Sequence, residues 1–379
     1  PNSSQGDQQE PVAPGVYTYN RLPIGGLNQL HRIEFHPSGD YALLLEQTNV
    51  LHIFDWSSQS AKRVNFESLF DSVRWGDLVF NPSGEFALIV GSLNTNAETQ
   101  GRLYRFNHIA YSENPARSPE DYIQEVPQGR IPQELKAIEY PWTSDNPVIL
   151  GVSGSNSANI LSLLEFDPTT NSFSGLNVSI SSGWTRCDDL GFVNNEFESP
   201  GILITCGSNG AKTFYYTAID GVGEWRQNPG NASTGNISRL GTYPGGDYAL
   251  LVSWSGRRVY RFQNGLVNSA TEAPGFSSNG IWGIKFQQEG DRALIMGRTS
   301  GSSGTVLEYR HNSYNCPSAN LNECGIHDVS IPNFSAAPFN ATSNTYLFDG
   351  AFRPNCDGGL LGGGTSGESG LLIRFQIDN

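Results

Sequence analysis

Charged side chains recur at two neighbouring positions of this chain, three and four residues before an aromatic residue that ends an apolar run. The nearer position reads Arg32, Asp77, Ala137, Asp189, Leu240, Gly283 and Asp349. The position one residue further back reads His31, Gly76, Lys136, Asp188, Arg239, Trp282 and Phe348. Converging carboxylates could bind Ca²⁺, a cationic ligand or a sugar, with the basic side chains limiting their repulsion. The alternative role is structural, because such polar side chains commonly hydrogen-bond the backbone of a neighbouring element.

Catalytic motifs are missing from the sequence. The six histidines, none with metal-ligand spacing, are His31, His36, His52, His108, His311 and His327. There is no G-x-S-x-G nucleophile, phosphate-binding loop or EF-hand loop. The glycine-rich residues 358–364 are followed by neither a Lys nor a helical pattern, and we interpret them as a strand. We therefore assign no catalytic residue, leave the metal unknown, and keep Ca²⁺ as the ion that the carboxylates could hold.

Three tryptophans lie just before or within the same apolar runs: Trp75, Trp184 and Trp282. If exposed, they would stack on sugars or anchor a partner protein. If they pack between repeated units, their role is structural.

The elements that must position these residues repeat along the chain. Residues 33–40 and 78–85 share the pattern Phe-x-Pro-Ser-Gly-Asp/Glu, and each leads into an Ala-Leu-Leu or Ala-Leu-Ile strand. First strands end at Phe35, Phe80, Tyr140, Phe192, Tyr243, Phe286 and Phe352. Third-strand aromatics stand at Phe54, Phe106, Phe166, Tyr216, Phe262, Tyr309 and Phe375. Seven like units, each with room for four strands, are typical of a propeller.

The sequence thus predicts an all-β, seven-bladed β-propeller with four antiparallel strands per blade. The last unit ends at its third strand, so residues 15–20 are expected to pair with residues 371–375 and close the ring. We expect residues 1–14 to form a flexible N-terminal stub and residues 15–379 to form the propeller. A pair of β-sandwiches would not give seven like units in one phase.

The turn and the Ala-Leu-Leu strand resemble those of WD-repeat-like propellers, especially the secreted bacterial group of seven-bladed lactonase-like and surface-repeat propellers. The resemblance covers residues 15–379. Some members of this group open lactones and most bind partners, so it implies the fold better than the function. The Gly-His and Trp-Asp pairs of true WD repeats are missing, and Asp55-Trp56 has the reverse order.

Net charge and hydropathy exclude several partners. The chain carries 37 acidic against 23 basic residues, a net charge of −14, and no basic cluster, so nucleic acid would be repelled. No apolar run is long enough to span a membrane. The chain begins at Pro1, which suggests that a targeting segment was removed or that a lipid anchor preceded residue 1. We expect a monomer that is secreted, periplasmic or on the bacterial cell surface.

Cysteine positions predict two disulfides. Cys187 and Cys206 fall opposite each other on the first two strands of the fourth unit, and Cys316 and Cys324 would close a small inserted loop. Cys356 would remain free. An extracytoplasmic location permits both bonds.

The leading functional hypothesis is a binding or scaffold propeller without enzymatic activity, which engages a protein or a polar ligand such as a glycan. We call the face with the fourth-to-first and second-to-third strand loops the upper face, and expect the ligand there. The predicted contacts at this channel mouth are His31, Arg32, Asp77, Asp188, Asp189, Arg239, Trp282 and Asp349. The alternatives are a propeller hydrolase or lactonase that uses the channel carboxylates, with or without a divalent metal, and a structural envelope protein.

Overall fold

The fold was analysed in a computed structural model of the chain. It describes residues 16–47, 50–65, 73–94, 99–116, 118–127, 131, 134–142, 144–153, 160–176, 187–194, 200–206, 212–219, 222–227, 237–253, 257–263, 266–267, 271–273, 276–290, 292–299, 304–310, 326–328, 345–355, 357–365 and 369–378. The expected N-terminal stub lies outside these residues.

Nearly all regular elements are strands. The first thirteen strands and the two helices are β1 (Val16–Arg21), β2 (Leu30–Phe35), β3 (Tyr41–Glu46), β4 (Val50–Asp55), β5 (Ser60–Asn65), β6 (Val73–Phe80), β7 (Phe86–Asn94), β8 (Thr99–Asn107), α1 (His108–Glu113), α2 (Pro119–Tyr122), β9 (Ile123–Glu125), β10 (Glu134–Glu139), β11 (Val148–Ser153), β12 (Ile160–Asp167) and β13 (Ser172–Leu176). The other strands are β14 (Cys187–Asn194), β15 (Pro200–Cys206), β16 (Lys212–Ile219), β17 (Val222–Gln227), β18 (Ile237–Thr242), β19 (Ala249–Ser253), β20 (Arg258–Gln263), β21 (Leu266–Val267), β22 (Thr271–Glu272), β23 (Phe276–Phe286), β24 (Arg292–Thr299), β25 (Gly304–Arg310), β26 (Ile326–Asp328), β27 (Thr345–Phe352), β28 (Gly358–Thr365) and β29 (Gly370–Asp378).

The described strands form seven antiparallel sheets, and in most of them four consecutive strands lie side by side. The sheet of β18 to β21 has β22 as an additional strand, paired with β20. In the sheet of β27, β28 and β29, the fourth strand is β1, whose Tyr19 lies opposite Phe375. The predicted all-β propeller built from antiparallel four-stranded sheets is confirmed, with β22 as an addition.

The first strands of the sheets surround a central channel. Each first strand contacts the first strand of the next sheet, in the order β2, β6, β10, β14, β18, β23 and β27, and β27 contacts β2. All of them run from the upper face towards the opposite, lower face. Side chains that are far apart in the sequence therefore converge on one axis.

Glycine turns join first to second strands at the lower face. In the turn after β2, the His36 N–H donates to the Tyr41 carbonyl at 3.0 Å and the Gly39 N–H to the His36 carbonyl at 2.8 Å. Gly39 has a φ of +74°, which side-chain-bearing residues rarely adopt. Equivalent turns occur at Gly84, Gly246 and Gly290. The pattern shared by residues 33–40 and 78–85 predicts the turns at Gly39 and Gly84.

Apolar side chains fill the spaces between adjacent sheets. One cluster joins Leu43 and Ile53 of the first sheet to Ile89 and Phe106 of the next. The buried third-strand aromatics are Phe54, Phe106, Phe166, Phe262, Tyr309 and Phe375. The seventh predicted aromatic, Tyr216, lies on β16, but its side chain is outside the described part. The glycine-rich segment is strand β28, as predicted. In the described residues, no helix is long and apolar enough to cross a membrane.

Candidate functional site

A β-bulge occurs at the same place in all seven first strands of the described sheets. An extra residue bends the strand and redirects the side chain that follows it. The residues directly after the bulge, which we call the bulge ring, are Arg32, Asp77, Ala137, Asp189, Arg239, Gly283 and Asp349. Six of these seven residues belong to the row that the sequence places three residues before a terminal aromatic.

The fifth sheet departs from the sequence alignment by one residue. Thr242 pairs with Ala249, just as Phe35 pairs with Ala42 in the first sheet. Tyr243 therefore lies one residue beyond the strand end with which it was aligned. As a result Arg239, and not Leu240, belongs to the bulge ring.

The three aspartates of the bulge ring bind the backbone of the next sheet. The Asp77 Oδ2 accepts from the Ile138 N–H at 3.2 Å, and the Asp189 Oδ2 from the Leu240 N–H at 3.0 Å. The Asp349 Oδ2 accepts from the Ile33 N–H at 2.8 Å. In each case the N–H donor belongs to the residue directly after the bulge-ring residue of the neighbouring first strand. Each carboxylate thus satisfies a backbone amide beside the channel, which is the contact that the structural alternative expects.

Arg32 lies among these carboxylates and neutralises part of their charge. Its Nε donates to the Asp77 Oδ1 at 2.7 Å, and its other end lies 3.8 Å from the Asp189 Oδ1. Burial alone would lower the pKa of Arg32, but Asp77, Asp189 and Asp349 raise it above its ordinary value. Burial also raises the pKa of Asp189 to about 6, although Arg32 and Arg239 act against this shift.

A second set of ionisable side chains lies two residues beyond the bulge ring, and we call it the lower layer: Glu34, Glu139 and Lys285. Alternate residues of a strand face the same side, so these side chains also face the channel. The Lys285 Nζ lies 2.7 Å from the Glu34 Oε2, and the two side chains are 39% and 24% exposed. Solvent therefore reaches this ion pair.

Glu139 lies near the Lys285–Glu34 pair, and among the described residues it has no ion pair of its own. Its Oε1 accepts a hydrogen bond from the Tyr140 N–H at 3.2 Å. Burial raises the pKa of Glu139 to about 8; Lys285 opposes this shift, and Glu34 and Asp77 add to it. The side chain is therefore mostly protonated at neutral pH.

Sequence reasoning missed the lower layer although the signal was present. Its residues stand one position before the terminal aromatics Phe35, Tyr140 and Phe286. The rows three and four residues before the aromatics were considered instead. Strand alternation places the row one residue before the aromatics on the same side as the row three residues before them.

A cavity of about 360 Å³ extends from the bulge ring towards the lower face. Its wall includes the lower layer and, beyond the strand ends, Trp142, Tyr243, Pro244, Gln287 and Gln288. The Trp142 side chain is 44% exposed at this end. The cavity thus lies on the opposite side of the bulge ring from the predicted upper mouth.

The residues predicted at the upper mouth have other contacts. The His31 Nε2 lies 3.5 Å from an Arg239 guanidinium nitrogen, and the Lys136 Nζ lies 2.5 Å from the Glu134 Oε1. The ring of Trp282 packs 5.2 Å from Tyr346 and 5.3 Å from Phe348. Arg32, Asp77, Asp189, Arg239 and Asp349 line the cavity from above. The side chains of Asp188 and Trp75, and all of Trp184, lie outside the described part.

The Cys187–Cys206 disulfide is present and joins β14 to β15 directly before the bulge that positions Asp189. The predicted pairing of these two cysteines is confirmed, and they lie opposite each other in the strand register. Cys316, Cys324 and Cys356 lie outside the described residues, so their predicted states stay predictions. Within the described ranges, no group of three or more His, Cys, Asp or Glu side chains is arranged to hold a metal ion.

Comparison of this sequence with protein-family models and with curated proteins finds no match. The observed fold shows a β-propeller, and the resemblance to WD-repeat-like and lactonase-like propellers rests on the sequence repeat pattern alone.

Proposed function

We propose that this chain is an extracytoplasmic binding propeller that takes a polar ligand, such as a glycan or an exposed segment of a partner protein, into its central channel. The observation that carries the proposal is the cavity below the bulge ring. It has the volume typical of ligand pockets and polar side chains that converge from several sheets. The Cys187–Cys206 bond supports the location, since structural disulfides persist in oxidising compartments.

The proposal includes seven blades, with β1 closing the last one. Its support is the number of sheets among the described strands, the cyclic order of contacts between first strands, and the pairing of β1 with β29. Seven first strands would enclose a central channel, and the cavity of about 360 Å³ lies between them. A monomer is the expected state, because this closure would leave no sheet edge at the chain ends.

The ligand is expected from the lower face and not from the upper face. The upper side of the bulge ring is occupied by Arg32 and its carboxylates and by the contact between His31 and Arg239. At the lower end, Trp142 and Tyr243 offer ring surfaces beside the polar cavity. Aromatic faces next to hydrogen-bonding groups suit sugar rings.

A glycan array probed with the wild-type protein and with Trp142→Ala tests this function. Trp142 is exposed and its ring lies 6.2 Å from that of Phe192, so the variant should fold and lose binding. Ile109→Ala is the matched control, because Ile109 is 51% exposed on α1, away from the cavity. Binding that survives Trp142→Ala, with an unchanged melting temperature, would place the ligand elsewhere.

A hydrolase or lactonase is the second candidate, favoured by Glu139 alone. A carboxyl group with a pKa of about 8 can act as a general acid at neutral pH, and Glu34 supplies a carboxylate in the same cavity. Turnover of lactones by the wild-type protein that disappears in Glu139→Gln would support this candidate. Absence of turnover across a panel of lactones and esters would reject it.

A further inference from the structure

The Lys285–Glu34 ion pair presents a hydrogen-bond donor and an acceptor side by side in the cavity. Its Nζ and Oε2 atoms lie 2.7 Å apart, and the two side chains are 39% and 24% exposed. Both residues line the cavity below the bulge ring. An ammonium group has three donor hydrogens and a carboxylate has several acceptor sites, so their mutual contact leaves each group with unused capacity. The pair can therefore bind a ligand that both accepts and donates hydrogen bonds.

The spacing of this donor and acceptor matches a vicinal diol. Neighbouring hydroxyl oxygens on a sugar ring lie about as far apart as the Lys285 Nζ and the Glu34 Oε2. One hydroxyl can accept from the ammonium while its neighbour donates to the carboxylate. Both bonds would involve a charged group, which makes them stronger than bonds between neutral groups. A ligand with a single hydroxyl can replace only part of these contacts.

The charges of the cavity nearly cancel at neutral pH. Among the described lining residues, the basic ones are Arg32, Arg239 and Lys285, and the carboxylates other than Glu139 are Glu34, Asp77, Asp189 and Asp349. Burial raises the pKa of Glu139 to about 8, so this side chain is mostly protonated and adds little charge. Arg32 and Arg239 both act on Asp189, opposing the rise in its pKa. A small excess of negative charge remains, which would repel an acidic ligand but not an uncharged one.

Trp142 supplies a fixed aromatic surface at the lower end of the same cavity. Its ring lies edge-on to Phe192 at 6.2 Å, and a Cβ at Gly246 would lie 2.5 Å from its Cη2. The ring thus rests against the fourth and fifth sheets, while 44% of the residue is exposed. Trp142 follows Glu139 of the lower layer by three residues, so their Cα atoms lie within about 11 Å of each other. Because both side chains line one cavity, a single ligand can reach the lower layer and the ring.

We propose that the cavity binds an uncharged sugar ring, whose adjacent hydroxyls bridge the Lys285 Nζ and the Glu34 Oε2 and whose apolar face lies on Trp142. This inference rests on the proposed function and names the class of its ligand. A sugar ring fits both ends of the cavity, because it carries hydroxyls on its edge and C–H groups on its faces. A free monosaccharide and the terminal sugar of a glycan share this chemistry.

Saturation-transfer NMR titrations of the full chain test the inference with methyl glycosides of glucose, galactose and mannose. The comparison ligands are methyl glucuronide, which adds a carboxylate, and tetrahydropyranylmethanol, a similar ring with one hydroxyl. At least one neutral glycoside should bind, and both comparison ligands should bind at least about tenfold more weakly. This part of the test uses the wild-type protein alone.

A double variant tests the two residues of the ion pair. Glu34→Leu combined with Lys285→Met removes both hydrogen-bonding groups without leaving an unpaired charge, and should weaken the neutral glycoside at least about tenfold. Glu289→Gln, at an exposed position of the turn after β23, is the control and should bind like the wild type. Melting temperatures establish that the variants are folded.

Equal binding of methyl glucuronide or of tetrahydropyranylmethanol, or full glycoside binding by the folded double variant, would overturn the inference. Array glycans that end in an acidic sugar and lose binding in Trp142→Ala would also overturn it but leave the proposed function intact. If no glycoside binds and no array glycan depends on Trp142, both proposals fail. A glycan that binds more tightly than the methyl glycoside of its terminal sugar would identify the source as a glycan chain, and equal or weaker binding would identify a free monosaccharide.

Discussion

Asp77, Asp189 and Asp349 join neighbouring sheets and also set the charge of the channel. Each carboxylate accepts an amide hydrogen bond from the next first strand, and Arg32 balances them from within the ring. From the sequence alone, both a ligand contact and a structural hydrogen bond were open for these residues. The lower layer lines the cavity below the ring, and we propose it as the contact for a ligand.

Asp349→Ala should lower the free energy of unfolding by about 1–3 kcal/mol, because it leaves the buried Ile33 N–H without its acceptor. Asp349→Asn keeps an acceptor oxygen and should cost less. Urea unfolding followed by fluorescence measures both. Asp121→Ala, at an exposed position of α2, is the control. If Asp349→Ala unfolds like the control, the carboxylate does not anchor the two sheets.

Two stacked histidines should make stability depend on pH. The rings of His36 and His108 lie 4.1 Å apart, and the Tyr41 hydroxyl lies 2.8 Å from the His108 Nδ1. Burial lowers the pKa of both histidines in the folded state. The unfolded chain therefore binds protons more readily, so the stabilisation is complete above about pH 6.5 and is lost as the pH falls below it.

Unfolding free energies measured from pH 7.5 to pH 5 should fall less steeply in His108→Gln than in the wild type. His108→Gln removes one of the two depressed pKa values and the repulsion between two charged rings. Parallel curves for the two proteins would show that the stack is not responsible.

At the scale of elements, the bulge in every first strand determines which side chains reach the channel. One inserted residue redirects the side chain after it, and the disulfide in the fourth sheet begins at the residue before its bulge. The bond between Cys187 and Cys206 therefore restrains the segment that positions Asp189. It spans a sequence separation of 19 residues.

Replacing both cysteines by alanine should lower the free energy of unfolding by about 3 kcal/mol, the value expected from closing a loop of this length. Chemical denaturation measures the loss. Wild-type protein in strong reductant is the matched comparison and should lose a similar amount. A double variant as stable as the oxidised wild type would mean that the neighbouring strands hold this region by themselves.

Strand alternation and turn chemistry made most elements predictable, including the Gly39 and Gly84 turns and the position of β28. Bulges were not predictable, because an inserted residue changes register without a residue type that marks it. Leu240 was placed where Arg239 lies for a different reason: Tyr243 was aligned with the strand-end aromatics, although β18 ends at Thr242. The short helices α1 and α2 were also not predicted. Each carries one tyrosine, Tyr111 or Tyr122, whose ring packs against Phe106.

At the scale of the whole molecule, β1 contacts two sheets. It pairs with β29 along its length, and the Tyr17 hydroxyl donates to the buried Glu308 of β25 at 2.5 Å. Arg310 holds the other oxygen of Glu308 at 2.6 Å. The N-terminal strand is thus fixed to two sheets at once.

Deleting residues 1–21 should expose the edge of β29 and lower the melting temperature by several degrees, with aggregation during purification. Tyr17→Phe, which removes only the hydroxyl, should cost less and stay soluble. Differential scanning calorimetry and size-exclusion chromatography measure the two effects. A deletion variant that is monomeric and as stable as the full chain would contradict closure by β1.

A crystal structure of the protein soaked with a mixture of monosaccharides tests the proposed binding site. Ligand density is expected in the cavity below the bulge ring, within contact of Glu34, Glu139 or Lys285, with Arg32 and its carboxylates unmoved. Density beside Trp282 at the upper face, or an empty cavity with ligand only on the outer rim, would contradict it.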